Sequence, residues 1–103
     1  VSIRFLGDLS RLPPDIQSLA EIIQQNTKSN CQNILNIAIA YTSRGDMLRA
    51  TSRVISECSA DALNENDMDR MLSTSDILKP DILLRTGGEH RFSDFLLWEV
   101  DLL

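Results

Sequence analysis

The stretch NILNIAIAYTSRGD, Asn33 to Asp46, decides how the rest of the chain is read. Its first part, up to Tyr41, carries apolar residues on both faces of an extended segment. A half-solvated antiparallel strand would alternate instead, so the pattern points to a parallel sheet covered on both sides. The strand ends in hydroxyl, glycine and charged residues, and a new amphipathic pattern starts beyond Arg44.

The opening residues alternate around Ile3 and Phe5 and stop at Gly7-Asp8, a strand followed by a turn. Pro13-Pro14 and Asp15 mark a helix start, and Ile16, Leu19, Ile22 and Ile23 recur at helical spacing. After the second strand, a helix carries Met47, Ala50, Val54 and Cys58 on one side. A shorter helix around Met68, Met71 and Leu72 follows Asn and Asp residues able to cap it. Pro80–Thr86, with Ile82 to Leu84 continuously apolar, reads as a third strand. The residues from Asp94 onward read as a helix or strand leaving it.

The expected order is β-α-β-α-α-β, an α/β fold with a parallel sheet and helices on its faces. In such sheets ligands bind beyond the carboxyl ends of the strands. All three expected ends place arginine beside small or hydroxyl residues: Arg4 to Arg11, Ala40 to Asp46, and Arg85 to Arg91.

With 103 residues the chain makes one domain at most. It could bury roughly 60–65% of its unfolded surface. The formal net charge of −5 argues against a general nucleic-acid surface, which needs a basic face. Any anion site must therefore be local. No apolar run approaches the roughly 18–20 residues that span a bilayer, and no secretory-type leader is visible. Cys31 and Cys58 lack metal-ligand spacing and read as small, reduced residues. The chain starts on a strand pattern at Val1 and ends inside the apolar run Phe95–Leu103, so it is expected to be a piece of a longer protein.

Within Arg85–Trp98, RTGGEHRFSDFLLW, the chemistry is dense. Arginine offers a planar fork of donors that matches diphosphate oxygens and stays charged. Gly87 and Gly88 let backbone N–H groups approach an anion without a Cβ in the way. Ser93 adds a neutral donor. The alternative is that the arginines form surface bridges with Asp8, Asp46, Glu89 and Asp94. His90, the sole histidine, has no visible partner for acid–base work and reads as a positioning or solvent-facing residue. Trp98 and its leucines read as core or subunit interface, and Met68 and Met71 as helix core.

The segments IRFLGDLSRLP (3–13), LNIAIAYTSR (35–44) and PDILLRTGGEHRFSDFLLW (80–98) together resemble the cis-prenyltransferases, the undecaprenyl and dehydrodolichyl diphosphate synthases. Asn36, Tyr41 and Arg44 match the family's middle motif, and Arg85 to Ser93 match its Arg-Thr-x-Gly-Glu-x-Arg-x-Ser block. Tyr41-Thr42-Ser43-Arg44 and Ser93-Asp94-Phe95 resemble the eukaryotic dehydrodolichyl type. Gly87-Gly88-Glu89-His90-Arg91 resembles bacterial members, and Glu99 replaces the family's usual glutamine.

The resemblance implies that residues 1–103 are the C-terminal portion of one Rossmann-like catalytic domain. It implies condensation of isopentenyl diphosphate onto an allylic diphosphate such as farnesyl diphosphate, with Mg²⁺, to give a long-chain cis-polyprenyl diphosphate. Arg85, Arg91 and Ser93 would grip the isopentenyl diphosphate, supported by Arg44, Glu89, Gly87 and Gly88. Asn36 and Tyr41 would maintain the strand. The Asp-Gly-Asn loop for the allylic diphosphate and Mg²⁺ is expected upstream of Val1, and a further metal-binding glutamate beyond Leu103. Asp101 is not at that position, so no metal ligand is assigned here and the chain alone is expected to be inactive. A homodimer or a heteromer with an accessory homologue is implied, with Phe95–Trp98 at the interface. The expected place is the cytoplasm or, for a dolichol-type enzyme, the endoplasmic reticulum surface. The alternative is a non-catalytic accessory subunit of such a complex.

Overall fold

In a computed structural model, residues 1–30, 32–57 and 63–100 are described. Cys31, Cys58 and Asp101, each singled out above, lie outside them. The chain forms two compact units, Val1–Tyr41 and Thr42–Leu103.

The first unit is a β-α-β unit. Strand β1 (Ser2–Leu6) and strand β2 (Ile34–Ala38) pair in parallel from Ser2↔Ile34 to Leu6↔Ala38, and helix α1 (Pro14–Thr27) connects them. The α/β class with a parallel sheet and helices is thus present, and among the described residues the sheet has two strands. Pro14 sits in the first turn of α1, where its missing N–H costs nothing, and Asp15 meets the positive end of the helix.

The turn after β1 depends on Gly7. Its φ is +119°, and a Cβ there would lie 2.0 Å from the Ile39 carbonyl oxygen. That closeness lets the two loops meet: the Asp8 N–H donates to the Ala40 carbonyl at 3.1 Å.

Helix α1 differs from expectation in which face it turns inward. Ile16, Leu19 and Ile22 have the expected spacing but are exposed, and Ala20 is the residue of α1 that is buried. The free edge of β1 explains this. Buried N–H groups need acceptors, and α1 supplies them: Thr27 Oγ1 accepts from the Ile3 N–H and Gln24 Oε1 from the Phe5 N–H, both at 3.0 Å. Polar side chains thereby take positions an apolar face would have filled. Strand β2 also differs from expectation, because Ile34 and Leu35 are about half exposed and not covered on both faces.

The second unit packs helix α2 (Ser43–Glu57) against helix α3 (Glu65–Met71). Ala50 and Val54 of α2 are fully buried, as the helical spacing predicts, and Leu72 and Val100 of this unit are buried too. Asn64 caps α3 reciprocally. Its side chain accepts from the Asp67 N–H, and the Asp67 carboxylate accepts from the Asn64 N–H. This capping box satisfies two N–H groups that a helix start would otherwise leave open.

Two expectations for this unit need correction. Ile82–Leu84 form no strand, and Ile82 and Leu84 are 83% and 84% exposed. Apolar continuity supplies burial potential but not a hydrogen-bonding edge, and Pro80 has no N–H to offer one. The residues after Asp94 form turns rather than a helix or strand over their described part. Leu96, with φ +48°, breaks the run, and its carbonyl accepts from both Glu99 and Val100 in a single helical turn.

Candidate functional site

The loop from Ile82 to Ser93 is exposed throughout, and its first residues carry no regular structure. It is shaped instead by one guanidinium. Arg85 Nη1 donates to the Arg91 carbonyl and, at 3.1 Å, to Ser93 Oγ. Those two bonds fold residues 85–93 around a cavity of about 440 Å³. Its polar lining is Arg85, Glu89, His90, Arg91 and Ser93, and its apolar walls are Leu83, Leu84, Phe92 and Phe95.

Each residue in the predicted set has a definite place. Arg85 and Ser93 are in direct contact. Arg91 reaches that contact through its carbonyl, while its Nε pairs with Glu89 Oε2 at 3.4 Å. That ion pair is exposed, so it contributes little to stability and leaves Arg91 easily redirected. Gly87 and Gly88 have φ of +92° and +70°, and an added Cβ on either would meet open space. Their positive φ favours glycine in this turn. His90 lines the cavity and is exposed.

Arg44, expected as a supporting residue, is tied to the loop through its backbone N–H. Asp94 Oδ1 accepts from the Arg44 N–H at 3.2 Å, and the Asp94 carbonyl accepts from the Ser43 N–H at 2.8 Å. Thr42 takes the next two, its Oγ1 from Gly45 at 3.1 Å and its carbonyl from Asp46 at 3.0 Å. The first donors of α2 are therefore filled from within the chain. The anion-attracting end of this helix is spent on Asp94.

The surface-bridge alternative fares unevenly. Glu89 does pair with Arg91. Asp46, however, is buried, bonded to Ser73 and 3.6 Å from Arg49, and Asp94 binds backbone.

Sequence reasoning missed Asp94 as an anchor. Ser93 and Asp94 have φ of +52° and +59°, and the Phe95 N–H closes the turn onto the Phe92 carbonyl at 3.2 Å. Left-handed backbone at a non-glycine residue costs roughly 1–3 kcal/mol, least for Asp and Asn. The Ser-Asp pair itself was the available signal. It also missed the aromatic walls Phe92 and Phe95.

Chemically, the arrangement offers cationic and neutral donors beside hydrocarbon. Only Nη1 of Arg85 is used among the described residues, so Nε and Nη2 keep their protons for an acceptor. Ser93 accepts from Arg85 and retains its own O–H to donate. No group of three or more His, Cys, Asp or Glu side chains gathers as a metal site among the described residues.

Comparison with known proteins places this loop in a family. Residues 1–102 match the family described as "Putative undecaprenyl diphosphate synthase". A ditrans,polycis-undecaprenyl-diphosphate synthase from Pseudomonas syringae pv. tomato is 36% identical over 97% of this chain and 42% of its own length. The crystal structure of a probable undecaprenyl diphosphate synthase from Campylobacter jejuni superposes with a TM-score of 0.84 at 35% identity, over 94% of this chain and 45% of that one. Lavandulyl diphosphate synthase from Lavandula x intermedia, solved with dimethylallyl diphosphate, gives a TM-score of 0.83 at 30% identity, over 95% and 44%. The chain spans less than half the length of these relatives. With both sequence and fold in agreement, the chain belongs to the undecaprenyl diphosphate synthase family of cis-prenyltransferases.

Proposed function

We propose that the 85–95 loop binds the diphosphate of isopentenyl diphosphate, within a protein that makes a long-chain cis-polyprenyl diphosphate. One observation carries this reading: Arg85 and Ser93, joined at 3.1 Å, share a cavity wall with Leu83, Leu84, Phe92 and Phe95. Donors for an anion next to apolar walls suit a diphosphate bearing a short hydrocarbon. A cavity of about 440 Å³ has the size of a small-ligand site.

In the proposed reaction the double bond of isopentenyl diphosphate attacks the allylic carbon of a diphosphate such as farnesyl diphosphate. The allylic diphosphate departs, and a proton is lost from the new unit. Arg85, Arg91 and Ser93 would not break or form these bonds. They would hold the isopentenyl diphosphate so that its double bond faces the reacting carbon, which lowers the barrier by fixing geometry beforehand. Arg44, Glu89, Gly87 and Gly88 would shape the loop.

Mg²⁺ would assist departure of the allylic diphosphate by neutralising its charge. By the family resemblance, its ligands and the allylic site are proposed to lie outside this chain, which alone would not turn over. The dehydrodolichyl-type product rests on Thr42-Ser43 and Asp94 alone. A homodimer or a heteromer with an accessory homologue completes the proposal, as does a cytoplasmic or endoplasmic reticulum surface location. Among the described residues no helix is long and apolar enough to cross a membrane.

Isothermal titration of the chain with isopentenyl diphosphate, inorganic diphosphate and isopentenol tests the site. Binding of both diphosphates, tighter for the isopentenyl ester, and none of the alcohol is the expected result. Equal binding of the two diphosphates would remove the apolar wall from the argument, and no binding of either would overturn the site.

A further inference from the structure

We infer that Asp94 is a positioning residue that holds Ser93 in its anion-binding pose, by anchoring a left-handed turn on the first turn of helix α2. The inference rests on the diphosphate site proposed above and adds a residue that does not itself touch the ligand.

The geometry has three linked parts. Ser93 and Asp94 are consecutive left-handed residues, with φ of +52° and +59°, in a turn closed by Phe95 N–H onto the Phe92 carbonyl. Serine has no intrinsic reason to adopt that backbone, so its surroundings must impose it. The imposing contacts come through Asp94: its carbonyl accepts the Ser43 N–H at 2.8 Å and its Oδ1 accepts the Arg44 N–H at 3.2 Å. On the far side, Ser43 Oγ accepts from the Leu97 N–H at 3.1 Å, and Ser43 is buried, 1% exposed. Asp94 within the turn and Leu97 just beyond it are therefore both tied to one buried serine of α2.

The consequence falls on Ser93. In this conformation its Oγ meets Arg85 Nη1, and that contact defines the cavity wall. Were Ser93 to relax to ordinary backbone, its hydroxyl would leave Arg85. The dipole of α2 adds to the effect, because a carboxylate at a helix start is favoured there. The helix end that could have bound an anion directly instead holds the residue next to the one that does.

The test is a double-mutant cycle read by diphosphate binding, with inorganic diphosphate as probe and the intact chain as protein. Asp94→Ala is expected to weaken binding about five- to tenfold, the scale of one lost hydrogen bond. Asp94→Asn keeps an acceptor and tolerates left-handed backbone, so it should bind within about twofold of the original. If Asp94 acts through Ser93, Asp94→Ala/Ser93→Ala will bind no more weakly than Ser93→Ala alone. Multiplying losses in the double variant would overturn the inference, as would Asp94→Ala binding normally while Ser93→Ala does not. Unchanged binding by Ser93→Ala would instead sink the parent site, and this inference with it. Should Asp94→Ala fail to fold by circular dichroism, Asp94→Gly, which frees the backbone but removes the acceptor, takes its place in the cycle.

Discussion

Arg85 Nη1 stands 3.1 Å from Ser93 Oγ while also donating to the Arg91 carbonyl, so one exposed side chain closes the loop it belongs to. Guanidinium suits this because its donors diverge in a plane. Nη1 can serve the loop while Nε and Nη2 remain for an acceptor.

Replacing Arg85 by lysine separates those two duties. An ammonium keeps the charge but is a single donor centre on a flexible stem, and it cannot close the loop and present a fork together. Arg85→Lys should weaken isopentenyl diphosphate binding roughly tenfold and Arg85→Ala roughly a hundredfold, the range of one to two charge-assisted bonds. Titration calorimetry at fixed ionic strength reads both, and equal affinity of the lysine variant would mean that charge alone matters.

The glycines of the two turns should respond unequally to alanine. At Gly7 a Cβ would collide with backbone, 2.0 Å from the Ile39 oxygen and 2.9 Å from the Tyr41 nitrogen, at φ +119°. Strain and overpacking together predict a loss of roughly 2–4 kcal/mol for Gly7→Ala. At Gly87 nothing lies within 4 Å, and the turn is exposed. Gly87→Ala should cost about 1 kcal/mol, confined to the loop. Hydrogen exchange distinguishes them. The Ile3 and Phe5 amides, bonded to Thr27 and Gln24, should lose protection in the first variant and keep it in the second.

What the sequence made legible follows from which interactions are local. Helices α1, α2 and α3 were readable because spacing, Pro14 and the Asn64–Asp67 box act within a few residues. Strands β1 and β2 were readable because they pair with each other across one helix. Ile82–Leu84 has equal apolar continuity and no ladder among the described residues, a property that no local pattern encodes. The same holds for α1, whose apolar stripe is regular while the N–H groups of Ile3 and Phe5 decide which face turns inward. In the candidate site, arginine and serine are visible as chemistry. The role of Asp94 depends on Ser43 and Arg44, some fifty positions earlier, and was not visible.

Asp46 illustrates the same non-local logic with a measurable cost. It lies in the first turn of α2 and is 2% exposed, yet its carboxylate is satisfied. It accepts from the Ser73 N–H at 3.2 and 3.3 Å and from Ser73 Oγ at 2.7 Å, so it clasps the segment after α3. Arg49 lies 3.6 Å away but is half exposed, which makes it a weak partner. Asp46→Ala should therefore cost roughly 2–3 kcal/mol, combining lost bonds to a charged acceptor with the helix-start contribution. Asp46→Asn keeps one acceptor and should cost roughly half as much, and Arg49→Ala less than about 0.5 kcal/mol. Urea denaturation of the three variants and of Ser73→Ala measures this. The Asp46→Ala and Ser73→Ala effects should not add, because they remove the same contact. If Arg49→Ala destabilised the chain as much as Asp46→Ala, the ion pair and not the clasp would be what holds the segment.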